Sequence, residues 1–273
     1  MSVFRNSVFV FLGFLCLFSY RTSAQNNLPN LPESKHKLVV IAHRGNHTKV
    51  PENTLASVNE AIKYGVDYVE IDLRTTKDGH LVIHHDATVD RATNGNGKIS
   101  ALTLAEIKKL QVYNHNHKTH QIPEFREVLR VCKNKINIYL DFKDADVKQT
   151  WKQIQEAGME KQIVVYVNKK SQYIEWRSVA PKMPLMTSVS DDVKNKEQLV
   201  SFLDEVKVEI LDNAVNSEMQ EVVKEKGIAV WLDVQSPTEG PESWTAAIEK
   251  KVQGLQTDHP EALIEYLNKK GLR

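Results

Sequence analysis

The sequence predicts a single (β/α)8 TIM barrel of the α/β class, and three observations lead there. Eight short β-branched runs alternate with helical patterns from Lys37 onward, the signature of a parallel sheet with crossover helices. The 273 residues are enough to bury one large core, and no Gly/Ser-rich linker or charge block divides them. No G-x-G-x-x-G follows the first strand run, which disfavours the structural alternative, a doubly wound open sheet.

Residues 1–24 are read separately. A basic Arg5, an apolar core from Val8 to Phe18 and a small-residue end, Thr22-Ser23-Ala24, form the pattern of a secretory signal peptide cleaved after Ala24. The alternative, a membrane anchor, needs about 20 apolar residues and this run is shorter. Export, to a periplasm or outside the cell, is therefore expected, and no other segment is apolar enough to span a bilayer. Residues 25–36, with Pro29 and Pro32, read as an N-terminal lead-in to a domain over 37–273. Loss of Arg5 and Arg21 with the leader takes Lys+Arg from 36 to 34 against 35 Asp+Glu. A nearly neutral chain has no global field for nucleic acid or an anionic membrane. Cys16 lies in the leader and Cys132 in a helical pattern, so no disulfide is expected in the mature chain.

The strand runs are 37–44, 66–73, 136–143, 162–167, 183–189, 208–213, 228–234 and 252–258, with helical patterns between them and a last one over 260–270. One apolar run does not fit this count. Residues 80–86, HLVIHHD, follow the second strand's extension after only Lys77, Asp78 and Gly79, too short a link for a parallel crossover. Asp78-Gly79 reads as a two-residue hairpin loop, which would set Lys77 opposite His80, Thr75 opposite Val82 and Asp72 opposite His85. A one-residue slip would bring His84 there instead, so geometry leaves both histidines open.

A barrel works at the C-terminal ends of its strands. Those ends carry His43-Arg44, Glu70 and Asp72, Asp141 and Lys143, Trp231 and Asp233, and Thr257-Asp258. Glu70 and Asp72 share one face of their strand, as do Asp141 and Lys143 of theirs, so three acids converge as all-oxygen ligands suited to Mg²⁺ or Ca²⁺. Other features take structural readings. Asp258 is read as the cap of the last helix with Pro260 in its first turn, Trp231 as core, Gly95 and Gly97 as loop turns, and Thr103-x-x-Glu106 as a capping box. His115, His117 and His120 read as a solvated loop rather than a soft-metal site. Asn46-His47-Thr48 matches a glycosylation acceptor by chance, because a glycan there would block His43.

The blocks I-A-H-R-G (41–45), P-E-N-T (51–54), E-I-D (70–72), T-K-D-G-H-L-V-I-H-H-D (76–86), D-R-A-T-N-G-N-G (90–97) and T-D-H-P (257–260) together resemble the glycerophosphodiester phosphodiesterase family. The resemblance implies a metal-dependent hydrolase of small phosphodiesters such as glycerophosphocholine or glycerophosphoethanolamine, releasing an alcohol and glycerol phosphate. It implies His43 and His85 as the acid/base pair, Arg44 as a phosphate clamp and Lys143 as a phosphate contact. It also implies Glu70, Asp72 and Asp141 as ligands of Ca²⁺ or Mg²⁺, and Trp231 as a wall of the alcohol pocket. The family's usual acid at position 141 is Glu in a Glu-x-Lys pattern; Asp141 is one methylene shorter, which leaves a bridging water or a shifted metal open. The segment between His85 and the third strand resembles the family's insertion, which shapes the substrate entrance. A related lyase that stops at a cyclic phosphate, and a secreted binding protein on this scaffold, are the competing readings.

Overall fold

The computed structural model describes residues 31–113, 118–213 and 216–273. The leader reading of 1–24, His115 and His117 lie outside them. Eight strands are mutually parallel: β1 (Val39–Ala42), β2 (Tyr68–Thr75), β4 (Asn137–Phe142), β5 (Ile163–Val167), β6 (Leu185–Thr187), β7 (Ile210–Leu211), β8 (Ala229–Asp233) and β9 (Gly254–Thr257). Pairing of β1 with both β2 and β9 closes them into a barrel, and β3 (Leu81–Ile83) adds antiparallel to the end of β2. Around the ring run α1 (Leu55–Lys63), α3 (Phe125–Cys132), α4 (Val147–Ala157), α5 (Lys170–Val179), α6 (Lys196–Glu205), α7 (Ser217–Glu225), α8 (Pro241–Glu249) and α9 (Pro260–Lys269), with the short α2 (Leu104–Ile107) in the insertion.

Alternation along the strands makes two apolar shells. Val40, Val69, Ile71, Leu140, Val165 and Leu255 face outward and bury the apolar stripes of the helices. Ile41, Tyr68, Tyr139, Met186, Ile210 and Trp231 face inward and fill the barrel. Local signals agree with the elements: Thr54 opens α1 with a capping box to Ser57, and Asp146 accepts from the Gln149 N–H at the start of α4. The expected box of Thr103 and Glu106 opens α2. The insertion carries its own small core of Val89, Ile99, Ile107, Val112 and Ile122 under Val82.

The hairpin differs from expectation by one residue. Leu73 pairs with Ile83, Arg74 with Val82 and Thr75 with Leu81, which places Lys77, Asp78 and Gly79 together in a three-residue loop. Gly79 sits at φ 81°, the left-handed position such loops require, and the Thr76 hydroxyl accepts the His80 N–H. In this register Asp72 faces His84, whose backbone N–H donates to the Asp72 carbonyl at 2.9 Å.

The lead-in closes the N-terminal end of the barrel. Leu31 packs on the inner shell, and the Tyr68 hydroxyl donates to the Pro32 carbonyl at 3.0 Å. Asp67 gathers the Ser34 hydroxyl, the His36 ring, the Val40 N–H and the Arg273 guanidinium. Beside it opens a groove of about 1300 Å³ lined by Asp67, Asn137 and Gln162, at the opposite end from the converging acids. Among the described residues no helix is long and apolar enough to cross a membrane.

Gly254 lies directly across from Trp231 in the β8–β9 register. A Cβ there would stand 2.6 Å from two indole carbons and 2.9 Å from Val39 Cγ2. Gly254→Ala is expected to destabilise the fold by about 1–3 kcal/mol through overpacking of the inner shell, read as a lower urea midpoint at unchanged slope.

Candidate active site

Glu70 and Asp72 stand two residues apart on the inner face of β2, and the parallel register with β4 sets Asp141 beside Asp72. Oxygens of the three carboxylates lie within 4.8 Å of one another, so the shorter Asp141 still joins the group. Glu70 and Asp72 are buried. Burial, then the charges of Asp72 and Asp141, push the Glu70 carboxyl well above its usual range. Burial also pushes Asp141 up, with Lys143 pulling against it and Asp72 adding to it.

The surroundings answer this charge group by group. Lys143 Nζ bonds Asp141 and stands 3.1 Å from Asp72 Oδ1. The Arg44 backbone N–H donates to Glu70 at 2.7 Å, Asn53 Nδ2 to Asp72 at 2.7 Å and Asn168 Nδ2 to Asp141 at 2.8 Å. Three carboxylates, two of them buried, facing one ammonium form a hard, all-oxygen donor set that fits a divalent cation of the Mg²⁺ or Ca²⁺ kind. Beside that set Arg44 Nε is a donor open to an anion: it is buried, 3.8 Å from Asp72 Oδ2, and has no acceptor among the described residues.

Arg44 reaches this place through a strained turn. Its φ is 52°, a left-handed conformation that costs a non-glycine residue about 1–3 kcal/mol. The turn is held from both sides: the Arg44 N–H is taken by Glu70, and its carbonyl accepts from the Asn53 N–H and the Ser57 hydroxyl. Gly45 follows at φ 82°, where a Cβ would lie 2.3 Å from Ser57 Oγ.

His43 and His85 share one arrangement. His43 Nδ1 meets Asp258 Oδ1 at 2.7 Å, and His85 Nδ1 meets Asp86 Oδ1 at 2.7 Å. A carboxylate on Nδ1 fixes the proton there and leaves Nε2 to exchange one. Hydrogen bonds from Arg91 and His85 hold the Asp86 carboxyl well below the usual carboxylate range. Burial opposes the same effect at Asp258, but hydrogen bonds from His43 and His47 keep that carboxyl low as well. From Asp86 the contacts run on: Arg91 Nε donates to Asp86 at 2.6 Å, Arg91 Nη2 to Glu52 at 2.6 Å and Arg44 Nη1 to Glu52 at 3.1 Å. A continuous chain of charges thus links His85 to Arg44.

Of the two histidines left open, His84 is buried with Nε2 on the Thr88 carbonyl, and burial lowers its pKa. His85 is partly open, its carbonyl pinned by the Arg74 guanidinium at 2.9 and 2.6 Å. Asp258 does not cap α9: the cap position belongs to His259, and Asp258 turns to His43 and His47 because two imidazole N–H groups reach it. Trp231 is 3% exposed in the inner shell, its ring 4.7 Å from Tyr68 and 6.4 Å from Tyr139, one pleat below the mouth. The structure thus keeps it as core. Asn46 is buried with Nδ2 on Glu261, closed to a glycan.

Across the barrel from the acids, Asp212 follows β7 and Asp233 ends β8. One oxygen of Asp212 is buried without a partner, and Tyr166 bonds Ser188 beside it. Asp233 accepts from Gln256 Nε2 at 2.8 Å, while Gln256 Oε1 of the same side chain is buried and unpaired. The barrel wall and the charges of Asp212, Asp141 and Asp258 push Asp233 up to about 7. Its carboxylate is also open to water at the rim, and screening there pulls it back toward ordinary acidity. Sequence reading gave no role to Glu52, Asn53, Asp86, Arg91, Asn168 or Asp212. Glu52 and Asn53 sit inside the P-E-N-T block and Asp86 directly after His85, so adjacency to assigned residues was the available signal.

Comparison with known proteins gives the family of the chain. The profile of the glycerophosphoryl diester phosphodiesterase family matches residues 43–262. A glycerophosphodiester phosphodiesterase of Caldanaerobacter subterraneus subsp. tengcongensis is 29% identical over 247 residues, 86% of this chain and 100% of that protein. Glycerophosphodiester phosphodiesterase 1 of Bos taurus is 36% identical over 154 residues, 54% of this chain and 46% of that one. An Oleispira antarctica phosphodiesterase, solved in complex with the product sn-glycerol-3-phosphate, superimposes with a TM-score of 0.73 at 22% identity, covering 84% of this chain and 96% of its own. The chain belongs to the glycerophosphoryl diester phosphodiesterase family and is an enzyme of the phosphoric diester hydrolase class.

Proposed function

We propose that the protein hydrolyses glycerophosphodiesters with cationic head groups, such as glycerophosphocholine or glycerophosphoethanolamine, to the free alcohol and glycerol 3-phosphate. The observation that carries this reading is the pair of imidazoles, His43 and His85, each with Nδ1 on a carboxylate, flanking the Arg44 guanidinium and the acid triad.

Glu70, Asp72 and Asp141 would hold the cation, Ca²⁺ or Mg²⁺; when bound, it neutralises phosphate charge and stabilises the charge that gathers on oxygen in the transition state. Arg44, with its unsatisfied Nε, binds a phosphate oxygen, and Lys143, released from its acids, another. One of the two histidines takes the proton of the substrate's glycerol hydroxyl at Nε2 as that oxygen attacks phosphorus. The other gives its proton to the departing alcohol oxygen as the P–O bond breaks, leaving a cyclic phosphate. Water opens the ring with the two roles exchanged. The product carried by the Oleispira relative supports glycerol phosphate as the end point. A head-group ammonium is favoured because Asp212 and Asp233, on the far wall, have uncharged partners: Tyr166 and Ser188 for the first, Gln256 for the second. The leader pattern of residues 1–24 supports export, and with it scavenging of lipid breakdown products; a mature form starting at Gln25 outside the cytoplasm is what this requires.

Purified protein is expected to release glycerol phosphate with Ca²⁺ or Mg²⁺ and to lose that activity with chelator. His43→Ala and His85→Ala should each lower kcat by about 10²–10⁴-fold with the fold retained by circular dichroism; full activity of either sinks the assignment. A diester without the free glycerol hydroxyl should not be cleaved.

The cation also has a stability signature. Because Glu70 and Asp141 titrate high in the folded chain, the unfolded chain releases their protons first. Stability of the cation-free protein therefore falls as pH rises from about 4 through the folded range. Added cation should restore it in the wild type and not in Glu70→Gln, read as Tm at several pH values. Asp233→Asn should raise KM for glycerophosphocholine by about 3–10-fold while sparing a diester with a neutral alcohol; equal effects on both would remove the cationic-site reading.

A further inference from the structure

A second group of metal-type donors stands beside the acid triad and is distinct from it in chemistry. His43 Nδ1 and His47 Nε2 both address the same oxygen, Asp258 Oδ1, at 2.7 and 3.0 Å. One donor atom from each residue lies within 4.8 Å of the others, and the two rings are 6.3 Å apart with planes at 70°, so their nitrogens converge from different directions. His47 and Asp258 are a quarter and a third exposed, which leaves a route for an ion from the mouth. The Asp258 backbone is held from behind by Glu239, which accepts its N–H at 3.2 Å.

Two imidazoles and one carboxylate make the three-ligand set on which Zn²⁺ and similar transition ions sit with one open position. Ca²⁺ and Mg²⁺ prefer the all-oxygen triad. We infer that His43, His47 and Asp258 form an inhibitory site for Zn²⁺, separate from the site of the working cation. When the ion binds, the proton that His43 shares with Asp258 moves from Nδ1 to Nε2, and that of His47 moves from Nε2 to Nδ1. No proton is lost, but with Zn²⁺ on Nδ1 the His43 ring can no longer carry protons on both nitrogens, so it can neither take a proton at Nε2 nor give one up in exchange, and Asp258 no longer orients it. The inhibitory consequence rests on the role proposed for His43; the binding itself does not.

The test is a Zn²⁺ titration of the full chain under saturating Mg²⁺, followed by calorimetry and by hydrolysis of glycerophosphocholine. The wild type is expected to bind one Zn²⁺ and lose activity with the same midpoint. In His47→Ala, with inhibition measured against that variant's own zinc-free, Mg²⁺-supported rate, Zn²⁺ binding and inhibition should both weaken by about tenfold or more. His47→Gln serves as the second variant if the alanine chain folds poorly, since it keeps a hydrogen-bonding side chain without an imidazole. Asp72→Asn, although inactive, should retain the Zn²⁺ heat. Unchanged Zn²⁺ affinity in both His47 variants, or its loss in Asp72→Asn, overturns the site. Tight Zn²⁺ binding that His47 controls, without loss of activity, would uphold the site and overturn the inhibition together with the role given to His43.

Discussion

Three carboxylates on two neighbouring strands are the constraint around which the mouth of this barrel is built. With carboxylate oxygens within 4.8 Å of one another, each ionised pair repels by about 3.5 kcal/mol or more at an effective dielectric of about 20. Burial of Glu70 and Asp72 adds a desolvation cost. The fold does not relieve this by moving the acids apart, because the β2–β4 register fixes Asp72 beside Asp141. It surrounds them instead with donors: one ammonium, one backbone N–H and two side-chain amides. Even the strained backbone of Arg44 belongs to this response, since Glu70 accepts the N–H of that left-handed residue.

The same logic organises the histidines. An imidazole near a phosphodiester works only if its proton sits at a known nitrogen, and a carboxylate on Nδ1 settles that. Asp258 and Asp86 do so from opposite ends of the domain sequence, one after the last strand and one after the hairpin. Each is itself kept ionised by further hydrogen bonds, Asp86 by Arg91 and Asp258 by His47. The apolar shells below, from Ile41 to Trp231, give these polar groups a rigid floor.

Legibility of the fold and the site in the sequence depends on which signals are local. The eight strands and their helices are readable because alternation and amphipathic spacing are written within a dozen residues. The acid triad is readable for the same reason: two members share one strand, and the third sits at the matching position of the next parallel one. The hairpin register departs from its expected value by one, because Gly79 can serve a two- or a three-residue loop, and Thr76 decides between them through contacts no spacing rule contains. Asp258 has the sequence context of a helix cap because Pro260 and an amphipathic run come directly after it. Nothing in that neighbourhood shows that His43, 215 positions away, turns it inward. Trp231 reads as core from its residue type and as a pocket wall only from the family resemblance, until the depth of each strand in the barrel is known; Gly254 opposite it makes room for the ring inside the barrel.

The insertion between β3 and α3 takes part in holding the charged groups at the mouth. Arg91, which it contributes, lies between Asp86 and Glu52, and Glu52 in turn holds the Arg44 guanidinium. Two carboxylates bridged by one arginine would scatter if that residue were free to wander, since exposed ion pairs are weak one at a time. Here the insertion is anchored by its own apolar cluster, with Val89 two residues before Arg91 packed under Ile99 and Ile107. Hydrophobic packing of a segment that never enters the barrel thus fixes the arginine that aligns both His85, through Asp86, and the Arg44 guanidinium, through Glu52. The position of His85 relative to Arg44 is set by that small core together with the strands from which the two residues extend.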